Sequence, residues 1–214
     1  MLHIALEQPG RFARGESPEP KPASGEAIVR VHRIGVCGTD LHAFAGRQPF
    51  FDYPRILGHE LGVEVIDSGD DPNDLRVGDR CAVEPYLTCG RCVACRRGKT
   101  NCCTTLKCLG VHTDGGMRPL IAVPARKLHR SMKLDYDQLA LIETLGIGAH
   151  AVERAEMRSD DFALVIGAGP IGLSVIQIAA LTGAKLAVMD VSDRRLEFAR
   201  RQLGVARTLA PQGA

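Results

Sequence analysis

Residues 162–190 read FALVIGAGPIGLSVIQIAALTGAKLAVMD, and how this stretch is parsed decides the fold class. An apolar run (162–166) gives way to a glycine-rich turn, a segment of helical texture (about 170–183) and a second apolar run (185–189). Another helical segment (about 193–203) follows. The order β-α-β-α predicts a parallel sheet with crossover helices. No charged residue falls between Phe162 and Ala184, a span long enough to raise the question of a membrane helix. Gly167, Gly169, Pro170 and Gly172 break its first half, and Ser174, Gln177 and Thr182 interrupt the rest. A strand, a turn and a helix account for every one of those breaks, so no membrane partner is expected.

The turn itself, Gly167-Ala168-Gly169-Pro170-Ile171-Gly172, matches G-x-G-x-x-G between a strand and a helix. Gly167 permits the tight turn, Gly169 lets backbone approach a pyrophosphate, and Gly172 lets helix pack on strand. The helix that opens at Pro170 and Ile171 presents free N–H groups and a partial positive charge to phosphates. Asp190 lies 18 residues beyond Gly172, at the end of the second strand. A carboxylate there accepts the adenine-side ribose hydroxyls and repels a 2′-phosphate, which predicts NAD as cofactor. Arg194 and Arg195 follow closely and keep NADP as the alternative.

Outward from this unit, the N-terminal part is β-rich. Residues 27–34 (AIVRVHRI) alternate as a half-buried strand should, and 64–66, 80–83 and 120–123 are further short strand candidates. From Gln138 to about Met157 the texture turns helical. The expected division is therefore 1–155 and 156–214. The second piece has room for about two βα units, whereas a doubly wound domain has two βαβαβ halves. The expectation is an N-terminal half of such a domain, ending roughly where a third strand should begin.

Composition bounds the partners. The chain has 214 residues, 45% hydrophobic and 24% charged, with net charge +2. That describes a folded globular chain and gives charge no argument for nucleic acid. Aromatics make up 4% with no Trp, so Val, Ile, Leu and Ala must build the core. The first 20 residues hold no apolar run of signal-peptide length, and a cytoplasmic location is expected. In that reducing compartment clustered cysteines point to metal rather than disulfides.

Cys89, Cys92, Cys95 and Cys103 place four thiols within a lobe at about 84–108, a donor set that suits a closed tetrahedral zinc site. Cys102 adjoins Cys103 and leaves the register open on chemistry alone. A redox dithiol needs only two of these cysteines. A nucleic-acid-binding zinc ribbon would space its Cys pairs well apart and interleave aromatics, although Arg91, Arg96, Arg97 and Lys99 do make the lobe basic. A second constellation joins Cys37-Gly38-Thr39-Asp40-Leu41-His42 to Gly58-His59-Glu60, with Glu143 at a helix start. Sulfur, imidazole and carboxylate together suit a catalytic metal with one exchangeable position.

With C-G-T-D-x-H at 37–42, G-H-E at 58–60, the four-cysteine lobe with Asn101, G-V-H-x-D-G-G at 110–116 and G-A-G-P-I-G at 167–172, the chain resembles the zinc-containing medium-chain alcohol dehydrogenases. The likeness covers essentially the whole chain and is strongest to the sorbitol-, threonine- and L-galactonate-dehydrogenase-like branch. It implies a GroES-like catalytic β-barrel domain followed by a Rossmann sheet, here incomplete. Cys37 and His59 would bind a catalytic zinc, completed by Glu60 or by Glu143, which stands where liver-type enzymes have a third Cys. The lobe spacing selects Cys103 over Cys102 for a structural zinc, two zinc ions per chain in all. Thr39, His42 and Glu60 would form the catalytic set, with Thr39 and His42 relaying the proton. Gly167, Gly169, Pro170, Ile171, Gly172, Asp190 and Arg195 would hold NAD. A homo-oligomer, dimer or tetramer, acting on a small alcohol, polyol or sugar acid is implied as well.

Two departures stand out. The family has G-H-E-x-x-G, whereas here Gly62 falls one position early and Val63 takes the glycine's place. The remainder of the nucleotide domain and the C-terminal return into the catalytic domain are also missing, which leaves a zinc-stapled scaffold or an inactive fragment as rival readings. Phe44, Phe50, Phe51 and Tyr53 lie between the ligand motifs in a loop that either borders the pocket or packs beneath it. The string Q-P-F-F-x-Y-P-R at 48–55 looks most like the L-galactonate-oxidising members, and Arg55 is either a carboxylate partner or a solvated cation. His150, Cys81 and Cys108 read as structural.

Overall fold

The computed structural model describes residues 1–49, 51–69 and 74–211; Phe50 lies outside them. Two compact units divide between Glu143 and Thr144. The first opens with an antiparallel hairpin, β1 (Leu2–Gln8) and β2 (Arg11–Glu16). Its body is a five-stranded antiparallel sheet built from β3 (Glu26–Gly35), β4 (Glu60–Asp67), β5 (Arg80–Val83), β8 (Leu120–Pro124) and β9 (Leu128–Arg130), in the order β8-β3-β4-β5-β9. Two-residue strands β6 (Tyr86–Leu87) and β7 (Lys107–Cys108) pair separately. Short helices α1 (Gly38–Phe44), α2 (Val93–Arg96) and α3 (Tyr136–Ala140) fill the connections.

The strand foreseen at 27–34 places Ala27 and Val29 in one core with Val63, Val65, Ile121 and Val123, aliphatic apart from Cys81. Burial of branched side chains on one pleated face is what fixes the register here. One extra residue, His32, bulges β3 between the pairs Val31–Val63 and Arg33–Gly62. Gly62 explains the displaced glycine of the G-H-E motif. A Cβ at this position would run into the backbone carbonyl of Tyr136, where α3 closes on β4. At position 63 the chain instead needs an apolar side chain, and Val63 is fully buried in the core.

The second unit is a parallel sheet, β10 (Phe162–Ile166), β11 (Lys185–Met189) and β12 (Arg207–Leu209), with α5 (Pro170–Ala180) and α6 (Asp193–Leu203) as crossovers. A third strand, at whose start the chain is expected to stop, is present in short form and pairs parallel with β11. Pro170 sits at the first position of α5, where its missing N–H costs nothing, and Gly204 ends α6 at φ 66°. Val165, Ala168, Ile176, Val188, Leu196, Ala199 and Val205 form its core.

Helix α4 (Ile142–Arg154) carries the division between the units in its first turn. Gly148 of α4 lies flush against the Ser174–Val175 backbone of α5, so this helix packs as part of the second unit. The compact units consequently meet twelve residues earlier than the change in sequence texture near 155 suggests. Among the described residues no helix is long and apolar enough to cross a membrane.

Candidate metal centre and nucleotide turn

In the lobe, the sulfurs of Cys89, Cys92, Cys95 and Cys103 lie within 4.8 Å of one another. The local chain is shaped around sulfur. The Cys92 amide donates to Cys89 Sγ at 3.3 Å, the Cys95 amide to Cys92 Sγ at 3.5 Å and the Cys89 amide to Cys103 Sγ at 3.4 Å. These amides favour thiolate, and the Cys92 thiol is held down at about 5, chiefly by the Cys95 N–H. Burial, with sulfur neighbours on every side, pushes Cys95 up to about 12. Four sulfurs so placed accommodate four negative charges only around a cation, the donor chemistry of a structural zinc. Cys102 is exposed and outside the group.

The second group joins Cys37 Sγ, a ring nitrogen of His59 and a carboxylate oxygen of Glu60, again within 4.8 Å of one another. Cys37 caps α1, and Asp40, three residues on, accepts the Cys37 amide at 2.9 Å and so fixes the turn. His59 ends the connection before β4, and Glu60 opens that strand. The loop at 115–117 clamps this approach: Gly115 donates to Ile56 O at 2.7 Å, and Gly116 to Gly58 O and Met117 to Leu57 O, both at 2.9 Å.

His59 is 5% exposed, and its Nδ1 has no hydrogen-bond partner; it faces Asp40 Oδ1, likewise unpartnered, at 3.9 Å. Burial alone would lower the imidazole, but the Cys37 thiol and the charges of Asp40, Cys37 and Glu143 outweigh it and hold the pKa raised. The same hydrogen bond from His59 lowers Cys37. Sulfur, imidazole and carboxylate converging on one point suit Zn²⁺, whereas Mg²⁺ or Ca²⁺ would require oxygen throughout. The residues present fit the metal.

Thr39 Oγ1 lies 3.5 Å from Cys37 Sγ, and His42 stands exposed in the last turn of α1. Glu143 is not a member of the close trio. Its Oε1 instead accepts the Tyr86 hydroxyl at 2.5 Å. Burial and the adjacent carboxylate push the Tyr86 phenol far up, so it keeps its proton and donates. Sequence reasoning missed Tyr86 here and named Asp40 only as a member of the Cys37 motif, without a role. Asp40 had a local signal, its place three residues after Cys37; Tyr86 had none, because the pairing of β6 with β7 sets its position.

The aromatic loop divides. Phe44 stacks on Phe12 at 5.5 Å, while Phe51 is buried against Leu6, Ala43, Leu57 and Val111 with Tyr53 edge-on at 4.8 Å. Those three rings pack, and Arg55 reaches Asp114 at 3.3 Å. Cys81 is buried in the sheet core, Cys108 is pushed up to about 12 by burial, and His150 is exposed on α4.

In the second unit the glycine turn runs from Ile166 into α5. A Cβ on Gly172 would strike the carbonyl of Gly167 within the turn itself, so glycine is needed here by the turn's own backbone rather than by the packing of helix on strand expected from the motif. Asp190, 6% exposed, accepts the Ala168 amide at 2.7 Å through Oδ2 and the Ser192 amide at 2.8 Å through Oδ1. These amides hold its carboxyl below the usual carboxylate range. Arg195 Nη1 stands 3.6 Å from Oδ2. Beyond it opens a cavity of about 350 Å³ lined by Ala168, Leu173, Arg194, Arg195, Phe198 and Arg201.

Residues 23–133 match the alcohol dehydrogenase GroES-like domain, and the chain belongs to the zinc-type medium-chain alcohol dehydrogenase family. Among its relatives, the L-galactonate-5-dehydrogenase of Escherichia coli is 42% identical over 200 residues, which are 94% of this chain and 59% of that protein. The crystal structure of RspB from Escherichia coli with NADH superposes with a TM-score of 0.92 at 34% identity, covering 100% of this chain and 63% of that one. A zinc-binding dehydrogenase from Sinorhizobium meliloti, solved with NADP, gives 0.91 at 29% identity, covering 100% and 62%. The chain spans about three-fifths of the length of the curated relatives it matches.

Proposed function

We propose that the chain carries the metal-holding part and the first half of the nucleotide-binding part of an NAD-linked, zinc-dependent dehydrogenase of a secondary alcohol, polyol or sugar acid such as L-galactonate. The observation that carries this reading is the convergence of Cys37, His59 and Glu60 donor atoms within 4.8 Å. Cys37 and His59 would hold the catalytic zinc with Glu60 or Glu143, and the four lobe cysteines a second, structural zinc. A bound Zn²⁺ lowers the pKa of a hydroxyl such as water's from about 15.7 to about 7, on the order of 12 kcal/mol, which removes the main obstacle to hydride loss from an alcohol.

The chain's own groups do the rest. Thr39 both accepts and donates, so it can take the substrate proton beside Cys37 and pass it on. His42, exposed at the end of α1, can release that proton to solvent. Asp40 anchors the Cys37 turn and faces His59, which fixes the two donors against each other. The Gly167–Gly172 turn and the start of α5 would bind the pyrophosphate, with Pro170 and Ile171 presenting the helix end. Asp190 favours NAD by its charge. Arg195 beside it partly offsets that charge, and NADP stays the alternative cofactor. Eight unpaired thiols suit the reducing cytoplasm as the place of action.

Two measurements test the reading. Elemental analysis of the purified chain should give two zinc ions, and Cys37→Ser should retain one. A count of one with all four lobe cysteines intact would favour a zinc-stapled scaffold instead. A screen of polyols and aldonates with NAD and NADP on the native protein should show NAD reduction, with aldonates among the substrates.

A further inference from the structure

Tyr86 belongs neither to the close donor trio nor to the proton relay, yet its phenol is committed to Glu143. The ring is not carried on a free loop. Tyr86 pairs with Cys108 across β6 and β7, and the Leu109 amide donates to the neighbouring Pro85 carbonyl at 3.0 Å. Glu143 is fixed from the other side by its place in the first turn of α4. The pair therefore joins two segments of the first unit that lie 57 residues apart in sequence.

We propose that Tyr86 is a positioning residue for Glu143: by occupying Oε1 it fixes the carboxylate beside Cys37, His59 and Glu60 and leaves Oε2 to complete or exchange into that donor set. The inference rests on the metal reading given above. A free glutamate loses its rotamer freedom when it ligates, and one already held by a phenol has given that freedom up beforehand. A phenol is also the right kind of holder. It supplies a single hydrogen and no charge, so it holds the carboxylate without offsetting it as a lysine or arginine partner would. Outer partners of this kind tune metal affinity about 10–100-fold.

The test uses Co²⁺ in place of zinc in the 214-residue chain, read by chelator competition and by the visible absorption bands. Wild type, Cys37→Ser, Tyr86→Phe, Glu143→Ala and the Tyr86→Phe/Glu143→Ala double variant are compared, with far-UV circular dichroism confirming that each is folded. Cys37→Ser assigns the signal of this site against that of the four-cysteine lobe. Tyr86→Phe keeps the ring and should weaken Co²⁺ at this site about tenfold, alter its bands and leave the lobe signal unchanged. In the Glu143→Ala background the same exchange should do nothing further. A wild-type spectrum and affinity in Tyr86→Phe overturns the inference, and so does an equal loss with Glu143 already removed, since Tyr86 would then act by packing. Absence of any Cys37-dependent cobalt in wild type sinks the metal reading itself and this inference with it, whereas normal wild-type binding with an inert Tyr86→Phe sinks this inference alone.

Discussion

Lys127 shows what a single buried charge demands of its surroundings. It is 5% exposed, and its ammonium pairs with Glu84, which also lies 3.5 Å from His129. Removing the carboxylate beside an ammonium buried this deeply leaves the ion without its partner. Glu84→Ala should therefore destabilise the first unit by about 3 kcal/mol, readable as a drop in urea midpoint, with Glu84→Gln intermediate. A pH dependence follows from the same pair. The His129 contact first, then Lys127, holds the Glu84 carboxyl below its usual 4.5 despite burial. A folded pKa lower than the unfolded one means the stabilisation is complete above about 4.5 and disappears as the pH falls through the lower folded value. Wild type should lose urea stability on acidification through that window, and the Gln variant should lose less over the same range. Equal slopes would show that Glu84 contributes nothing by ionising.

At the scale of elements, Asp190 does more than its place after β11 announces. Both its oxygens accept backbone amides, one from Ala168 inside the glycine turn and one from Ser192 at the start of α6. The carboxylate therefore ties β10–α5 to β11–α6 whether or not a ribose is present. Asp190→Asn puts an NH₂ against one of those amides, leaving a buried donor facing a donor at a cost of about 1–3 kcal/mol. The expected result is a lower melting temperature of the second unit and weaker binding of both NAD and NADP, measured by calorimetry. A clean switch to NADP with unchanged stability would mean that the side chain acts on the ribose alone. Cys89, Cys92 and Cys95 were legible from sequence because their short spacing already brings them together, whereas the choice of Cys103 over Cys102 came only with the family resemblance. Asp190's clip was not legible, since its partners are amides, which every residue carries. Tyr86 was hidden for another reason: its hydrogen bond to Glu143 exists only once β6, β7 and α4 are in place.

Across the whole molecule, hydrophobic periodicity located β3, β4, β5, β8, β10 and β11, but neither the N-terminal hairpin β1–β2 and the short strands β6, β7, β9 and β12 nor the division between units. Helical texture begins near Gln138, while the boundary is set by which core a helix joins, and Gly148 of α4 lies against α5. The two cores share no residue, one running from Ala27 to Leu128 and the other from Val165 to Val205. Among the described residues, both groups of candidate metal donors lie in the first unit, at positions 37, 59 and 60 and at 89, 92, 95 and 103. A ligand that binds only the folded state stabilises it by RT ln(1 + [L]/Kd), about 4 kcal/mol at a thousandfold excess over Kd. Calorimetry on the zinc-loaded chain should therefore show two transitions. A strong chelator should lower the one belonging to Met1–Glu143 and leave the other in place, whereas added NAD should raise only the second. A single transition moved by both ligands would mean that the units unfold as one body, and the separation of metal chemistry from nucleotide binding in this chain would have to be given up.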